Sequence, residues 1–411
     1  MASQIFTNIT SLVNVRQSLE FLRGNEISFL PCINNAYLVI EDNIIAEFGR
    51  MENFKFPGKN ASDPQNGTLI LPAWCDSHTH LVFAASREEE FVNKIQGMTY
   101  AEIAARGGGI LNSARKLNDT PEDVLFAEAW KRLEEVSKLG TGAIEIKSGY
   151  GLSLDGELKM LRVIKKLKGK SNITIKSTFL GAHAYPAEYK ENHKGYIDLL
   201  INEMLPAISN EKLADYIDVF CEDGFFSAGE MEVICNAGKT FGLKSKLHVN
   251  QLSSIGGVQA GIKLDALSLD HLETLTKEEI KMLGGFKGAS TLLPTAAFFL
   301  GMPYQPARAL INAGAAVTLA SDFNPGSSPS GNMNFVVSLS CIQMKMLPEE
   351  AINAATFNGA CAMEIQGDHG SIHEGKKANL IFTKPVTSLA YLPYSFGSNS
   401  ISKVMINGTF I

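Results

Sequence analysis

Hydrophobic and polar positions change rhythm twice along the chain. Up to about residue 68 the pattern is that of short strands. AYLVI (36–40) and IIAEFG (44–49) flank Glu41–Asp42–Asn43, which has the composition of a hairpin turn. The far end behaves alike: ANLIFTK (378–384) and SKVMINGTFI (402–411) alternate, with Asn407–Gly408 as a turn. Neither end is long enough to enclose a core alone. The pattern therefore predicts that residues 1–68 and 368–411 pair into one small composite β domain, with 69–367 inserted between them.

The inserted segment alternates between two kinds of element. Apolar, β-rich runs occur at LILPAWCD (69–76), TGAIEIKS (141–148), NITIKSTFLGAH (172–183), YIDVFCE (216–222), LKSKLHV (243–249), ALSLDH (266–271), ASTLLP (289–294) and AAVTLASD (315–322). Helix openings fall between them. Thr120–Pro121–Glu122–Asp123 reads as a cap followed by a helix-opening proline, and Ser227…Glu230 and Thr276…Glu279 fit capping boxes. Strand followed by helix predicts parallel βα units. Eight such runs in roughly 300 residues predict an α/β fold, a (β/α)8 TIM-like barrel.

Polar and ionisable residues gather at the C-terminal ends of these runs. His78 and His80 follow the first, Tyr150 the second, His183 closes the third and Glu222 the fourth. His248 closes the fifth, His271 the sixth and Asp322 the eighth. A barrel brings all those ends to one mouth, where active sites form. Side chains two apart on a strand share a face, so His78 and His80 can hold one metal, and His248 and Asp322 can complete the set. Three nitrogens and one oxygen suit zinc or iron. A metal lowers the pKa of bound water to about 7, and His271 and Asp322 stand where a base is useful.

Plainer readings stand beside these. Tyr150 can be packing next to glycines, and Glu222 can tie loops beneath the mouth. Arg87 precedes Glu88–Glu89–Glu90, which fits a surface ion pair, and His193, His369 and His373 lie in polar stretches that read as solvated. Gly107–Gly108–Gly109 lacks the G-K-[ST] ending and the preceding strand of a phosphate-binding loop.

Composition narrows the function classes. The 411 residues are 45% apolar and 19% charged, with net charge −6, which disfavours a nucleic-acid partner. Six scattered cysteines form no C-x-x-C pair and read mostly as buried thiols of a reducing compartment. No signal-peptide pattern and no uncharged run of membrane-spanning length is present, so the cytoplasm is the expected location.

LPAWCDSHTHLVF resembles the metal-binding first strand of the amidohydrolase superfamily. With DSHTHLVFAASREEEF, MTYAEIAARGGGI, EIKSGYGL, TFLGAHAYP, DVFCEDGFFS and SDFNPGSSP, from about 74 to 330, the chain resembles the imidazolonepropionase family within it. GSIHEGKKANLIF (370–382) is similar to that superfamily's return strand into its small β domain. The resemblance implies His78, His80, His248 and Asp322 as ligands of one divalent metal per subunit, zinc or iron. It implies Arg87, Tyr150, His183, Asn324, Gly326 and Ser327 as substrate-binding residues, with Tyr100 a lesser candidate. The implied reaction opens the ring amide of 4-imidazolone-5-propanoate to N-formimino-L-glutamate, in a homodimer. Arg87 would then grip the carboxylate tail, which suits a guanidinium fork better than an ammonium.

One position departs. After the fifth strand the family usually carries a Glu facing the substrate, and here HVNQ places Gln251. An amide hydrogen-bonds but moves no proton, so the expectation is that Gln251 orients the ring while His271 and Asp322 handle protons. Two rival readings are another cyclic amidohydrolase or nucleobase deaminase of the superfamily, and a barrel scaffold without catalysis.

Overall fold

A computed structural model of the chain describes residues 3–55, 61–98, 102 and 108–411. Two sheets organise it. Eight parallel strands follow one another in sequence order: β5 (Trp74–Asp76), β6 (Thr141–Lys147), β7 (Thr174–Ala182), β8 (Tyr216–Cys221), β9 (Lys244–Val249), β10 (Ser268–His271), β11 (Ala289–Leu292) and β12 (Ala316–Leu319). The first and last do not pair within the strands. The chain running on from each does, through a parallel bridge between Thr79 and Phe323 and a bond from the His80 N–H to the Phe323 carbonyl at 2.9 Å. The ring is thus nearly closed, as the eight-run pattern predicts.

All eight strands are almost wholly buried, which is why they read as continuous apolar runs rather than alternating ones. Helices cover the outside. Ser227 and Thr276 cap Ala228–Thr240 and Lys277–Gly285 in the capping boxes expected of them. Thr120 does not cap its helix: its hydroxyl donates back to the Lys116 carbonyl, and Pro121 alone opens Glu122–Lys138.

The second sheet has seven strands, in the order β15 (Thr409–Phe410), β14 (Ile401–Ile406), β13 (Leu380–Thr383), β4 (Leu69–Pro72), β1 (Ser3–Val13), β2 (Cys32–Glu41) and β3 (Ile44–Arg50). Two hairpins close on tight turns, Asp42–Asn43 and Asn407–Gly408, where both residues take positive φ, the geometry that matches strand twist. A separate apolar cluster of Ile9, Leu12, Leu38, Ile40, Ile70, Leu380 and Met405 fills this sheet's inner face.

The run 69–76 is not one barrel strand. Leu69–Pro72 pairs with β1 and β13 in the small sheet, and only Trp74–Asp76 enters the barrel. The switch occurs at Ala73, whose N–H still bonds Asn379, while that of Trp74 bonds Gly140. Nor do residues 1–68 all serve the small sheet, since Leu22 and Ile27 pack into the barrel's core.

Candidate functional site

Beyond Asp76 the chain runs on past a bridge at Thr79, and the rings of His78 and His80 lie 4.4 and 5.3 Å from that of His248, between centroids, at the mouth. His248 sits near the end of β9, His271 ends β10, and Asp322 follows β12, held against the first strand by its N–H to the His78 carbonyl at 3.0 Å. All five are buried. Their ligand atoms form two overlapping groups, His78–His80–Asp322 and His78–His248–His271, each within 4.8 Å. His78 Nε2 and His80 Nε2 stand 3.5 and 3.6 Å from Asp322 Oδ1, and His80 Nε2 stands 3.3 Å from His248 Nε2.

Two tautomers follow from the partners behind. His78 Nδ1–H donates to Asp270 Oδ2 at 2.7 Å, and His248 Nδ1–H donates to Asp218 Oδ2 at 2.8 Å. Each ring therefore presents its Nε2 lone pair to the mouth. Burial pushes His78, His80 and His248 well below the ordinary histidine pKa, so all three are neutral. His78 Nε2 is buried and has no hydrogen-bond partner, a costly state for a polar atom unless a cation is near. Convergent neutral imidazoles with one carboxylate fit a divalent ion.

His271 differs. Burial works against its charged form, but the carboxylates around it, first Glu273 at 3.3 Å from Nδ1 and then Asp322 and Asp270, together outweigh it and lift the pKa to about 9. Gln305 Nε2 donates to the same Glu273 oxygen at 2.8 Å, fixing the carboxylate in turn. His271, Leu272 and Asp322 hold φ of 84°, 64° and 52°, left-handed values that a branched or bulky residue adopts only at a cost. Burial raises Asp322 to about 6, against the pull of His271.

Arg87, Tyr150 and His183 line the same mouth. His183 Nδ1–H donates to the Gly149 carbonyl at 2.9 Å, leaving Nε2 free to accept, and burial lowers the ring to about 4. Its ring stacks on His80, with centroids 5.4 Å apart. Gly149 must be glycine: its φ is 108°, and a Cβ would sit 2.9 Å from the Leu180 carbonyl oxygen and 3.0 Å from His183 Nδ1. Tyr150 lies 5.8 Å from His80 between ring centroids, and the Arg87 guanidinium stands 5.8 Å from the Tyr150 ring. Arg87 makes no ion pair among the described residues. Its Nε donates to Ser113 Oγ at 2.9 Å, and its Nη2 is buried without a partner.

Asn324, Gly326 and Ser327 are placed at the mouth but are occupied with one another. Asn324 Oδ1 accepts from the Gly326 and Ser327 N–H groups, both at 2.8 Å, so the expectation that these two donate to a ligand is not met by free donors. Asn324 Nδ2 donates to the Asp322 carbonyl, and Ser327 Oγ donates to Asp322 Oδ2 at 3.2 Å. The loop shapes Asp322 and backs onto Arg87.

Gln251 is buried just past β9, and its side-chain amide makes no hydrogen bond among the described residues. Tyr100 lies outside the described residues. Glu222 is committed to the loop after β9, accepting from the Leu252 N–H at 2.8 Å and from the Ser253 hydroxyl. His193 is exposed, against Tyr185, but His369 is buried rather than solvated, its N–H bonded to the Ile365 carbonyl at 3.0 Å and its carbonyl accepting from Lys376 at 3.1 Å.

Sequence reasoning missed the groups that hold these residues. Asp218, Asp270, Glu145, Lys147 and Lys246 lie inside strands, and Glu273 two residues past His271. Glu157 accepts the N–H groups of Gly149, Gly151 and Leu152, shaping the turn that carries Tyr150. A charge inside a buried run was the available signal, as in EIK (145–147) and SLDH (268–271).

The amidohydrolase family model matches residues 69–411. An imidazolonepropionase of Flavobacterium johnsoniae is 58% identical, covering 99% of both chains, and one of Clostridium tetani is 41% identical, covering 94% of this chain and 93% of its own. Among solved structures, Escherichia coli guanine deaminase superposes with a TM-score of 0.74 at 16% identity, covering 100% of this chain and 99% of its own. An Arthrobacter triazine hydrolase gives 0.75 at 14% identity, covering 99% and 94%. At such identities the structures speak for the shared fold alone.

Proposed function

The chain belongs to the amidohydrolase family and, within it, to the imidazolonepropionases, and from that premise we infer that it hydrolyses the ring amide of 4-imidazolone-5-propanoate to N-formimino-L-glutamate. The observation that supports this substrate best is Arg87, whose buried Nη2 has no partner and whose guanidinium lies beside Tyr150 at the mouth. A carboxylate supplies the missing acceptor. A neutral nucleobase does not.

His78, His80, His248 and Asp322 would hold one divalent ion, zinc or iron. When bound, that ion lowers the pKa of a water to about 7 and polarises the carbonyl to be attacked. The chain's own groups do the rest. Arg87 pairs with the propanoate tail and fixes the ring's depth. His183 offers Nε2 as an acceptor for a ring N–H, and Gln251 offers an amide that orients the ring without exchanging protons. Asp322 takes the proton released as water adds to the carbonyl carbon. His271, held cationic by Glu273, donates from Nε2 to the oxygen that gains charge. The carbon–nitrogen bond then breaks, and the departing nitrogen collects the proton held by Asp322.

The same reading assigns the cytoplasm as the compartment and a homodimer as the assembly. All six cysteines are free, in keeping with reducing surroundings, and no described helix is long and apolar enough to cross a membrane.

The test is direct. Purified protein should consume imidazolonepropionate, followed by loss of its absorbance, should leave guanine and cytosine untouched, and should fall silent with a chelator. Turnover of a nucleobase with none of imidazolonepropionate would overturn the reading. His271→Ala should depress turnover strongly while metal stays bound; normal turnover would remove His271 from the mechanism.

A further inference from the structure

The interior of a (β/α)8 barrel is ordinarily filled by layers of branched apolar side chains. Here the layer under the mouth is ionic. Glu145 and Lys147 on β6, Asp218 on β8, Lys246 on β9 and Asp270 on β10 all project inward, with side chains fully buried. Removing five charges from water is expensive, and apolar residues of like volume serve stability as well or better. Such a layer in this position calls for a role beyond holding the fold.

Its wiring is specific. Lys147 Nζ stands 2.8 Å from Asp218 Oδ2 and 3.6 Å from Asp270 Oδ2. Those are the same two oxygens that accept the Nδ1–H of His248 and of His78. Each oxygen therefore bridges the one ammonium and one imidazole. Glu145 is shared: it accepts from Lys147 at 2.7 Å and from the Thr178 hydroxyl at 2.6 Å, and its other oxygen stands 3.0 Å from Lys246 Nζ, which also donates to the Ala362 carbonyl at 3.0 Å. Lys147 is the member that meets both aspartates and the frame.

We propose that Lys147 is a positioning residue that ties His78 and His248 into one unit through Asp270 and Asp218, and so sets how tightly the chain holds its metal. The proposal rests on the metal reading above and deepens it. Without the ammonium, each aspartate loses a cation beside the oxygen it turns to an imidazole, leaving Asp218 held by the His248 N–H at 3.1 Å and Asp270 with the field of Lys246. The rings then no longer present their Nε2 atoms to a common point. Asp270 and Asp218, one step behind the ligands, are partners of the kind that typically account for 10- to 100-fold in metal affinity, and Lys147 acts through both of them.

Zinc affinity, measured without substrate by competition with a chromophoric chelator, tests this. Lys147→Met should weaken zinc binding at least tenfold. That substitution also leaves Glu145 with Lys246 as its one cation and the layer one positive charge short, so the decisive protein is Lys147→Met with Glu145→Gln, which restores the layer's net charge. We expect it to regain the thermal midpoint of the metal-free wild type and yet stay at least tenfold weaker for zinc, an outcome that a purely structural lysine would not give. Wild-type affinity in the folded double variant overturns the proposal. Asp270→Asn, which keeps the side chain's shape, should show a loss of the same order, and unchanged affinity there overturns it too, whether or not the lysine variants fold. Wild-type protein that takes up no zinc or iron would instead sink the metal reading and this inference with it.

Discussion

Gly326→Ala should separate binding from stability. A Cβ built at Gly326 falls 2.5 Å from Arg87 Nη1, 3.1 Å from Cζ and 3.6 Å from Asn324 Oδ1. An ordinary contact begins near 3.4 Å, so the guanidinium must withdraw by about 0.9 Å, the difference between 3.4 and 2.5 Å. A charge-assisted hydrogen bond of about 2.8 Å does not survive such a shift. Losing the charge-assisted grip on a carboxylate costs about 1.5–3 kcal/mol, or roughly 10- to 100-fold. Because the tail does not react, the loss should appear in KM, with kcat little changed. Folding should hardly notice, since the atom displaced is the tip of a flexible side chain and Gly326 is not in the left-handed region. We expect stability within about 1 kcal/mol of wild type. Gly359→Ala is the counterpart: its Cβ would lie 2.4 Å from the Cys75 carbonyl oxygen, in backbone that cannot swing away, so it should lose about 1–3 kcal/mol of stability. Initial rates across substrate concentration and a thermal melt suffice for both. Paired with Arg87→Ala, Gly326→Ala should add nothing further to KM. A folded Gly326→Ala enzyme with KM within twofold of wild type would refute the assignment of Arg87 to the tail.

Two more outcomes are open to measurement. Glu273→Gln should lower kcat by roughly 10- to 100-fold with metal content and KM unchanged, because Glu273 holds His271 cationic and in register; equal kcat would show that His271 works without it. His369 has both ring nitrogens buried and unpartnered, and burial lowers it from the ordinary 6.5 to about 4. Between those values the unfolded chain binds a proton that the folded chain refuses. Stability present above pH 6.5 is therefore lost as pH falls, by about 2 kcal/mol at pH 5. The thermal midpoint of His369→Leu should drop less between pH 7 and pH 5 than that of wild type; parallel drops would refute the assignment.

The barrel was legible because each strand is buried on both faces and so stands out as an unbroken apolar run. The hairpins were legible because Asp42–Asn43 and Asn407–Gly408 supply the positive φ such turns need. The division inside 69–76 was not. Both sheets bury their part of that run, so hydrophobicity stays level across it, and only a change of hydrogen-bonding partner at Ala73 marks the crossing. His369 escaped for a related reason. Polar neighbours in sequence suggested water, but the turn buries the ring, and composition does not report a turn's direction.

At the mouth, a histidine or aspartate closing an apolar run is visible to anyone counting strand ends. A charge in the middle of a run is as visible, and its sense depends on what lies across the barrel. Asp270 pairs in register with His248, yet its carboxylate serves His78, while His248 is served by Asp218 from the neighbouring strand on its other side. Lys246 lies two residues before His248 and so faces the same interior, but its partner is Glu145 on a distant strand. Such pairings cross the barrel rather than run along the chain, and only closure of the sheet reveals them. Ligands can be read one strand at a time, whereas their supports belong to the ring as a whole. Substitutions in the charged layer should therefore act on His78 and His248 together, even where a single strand is altered.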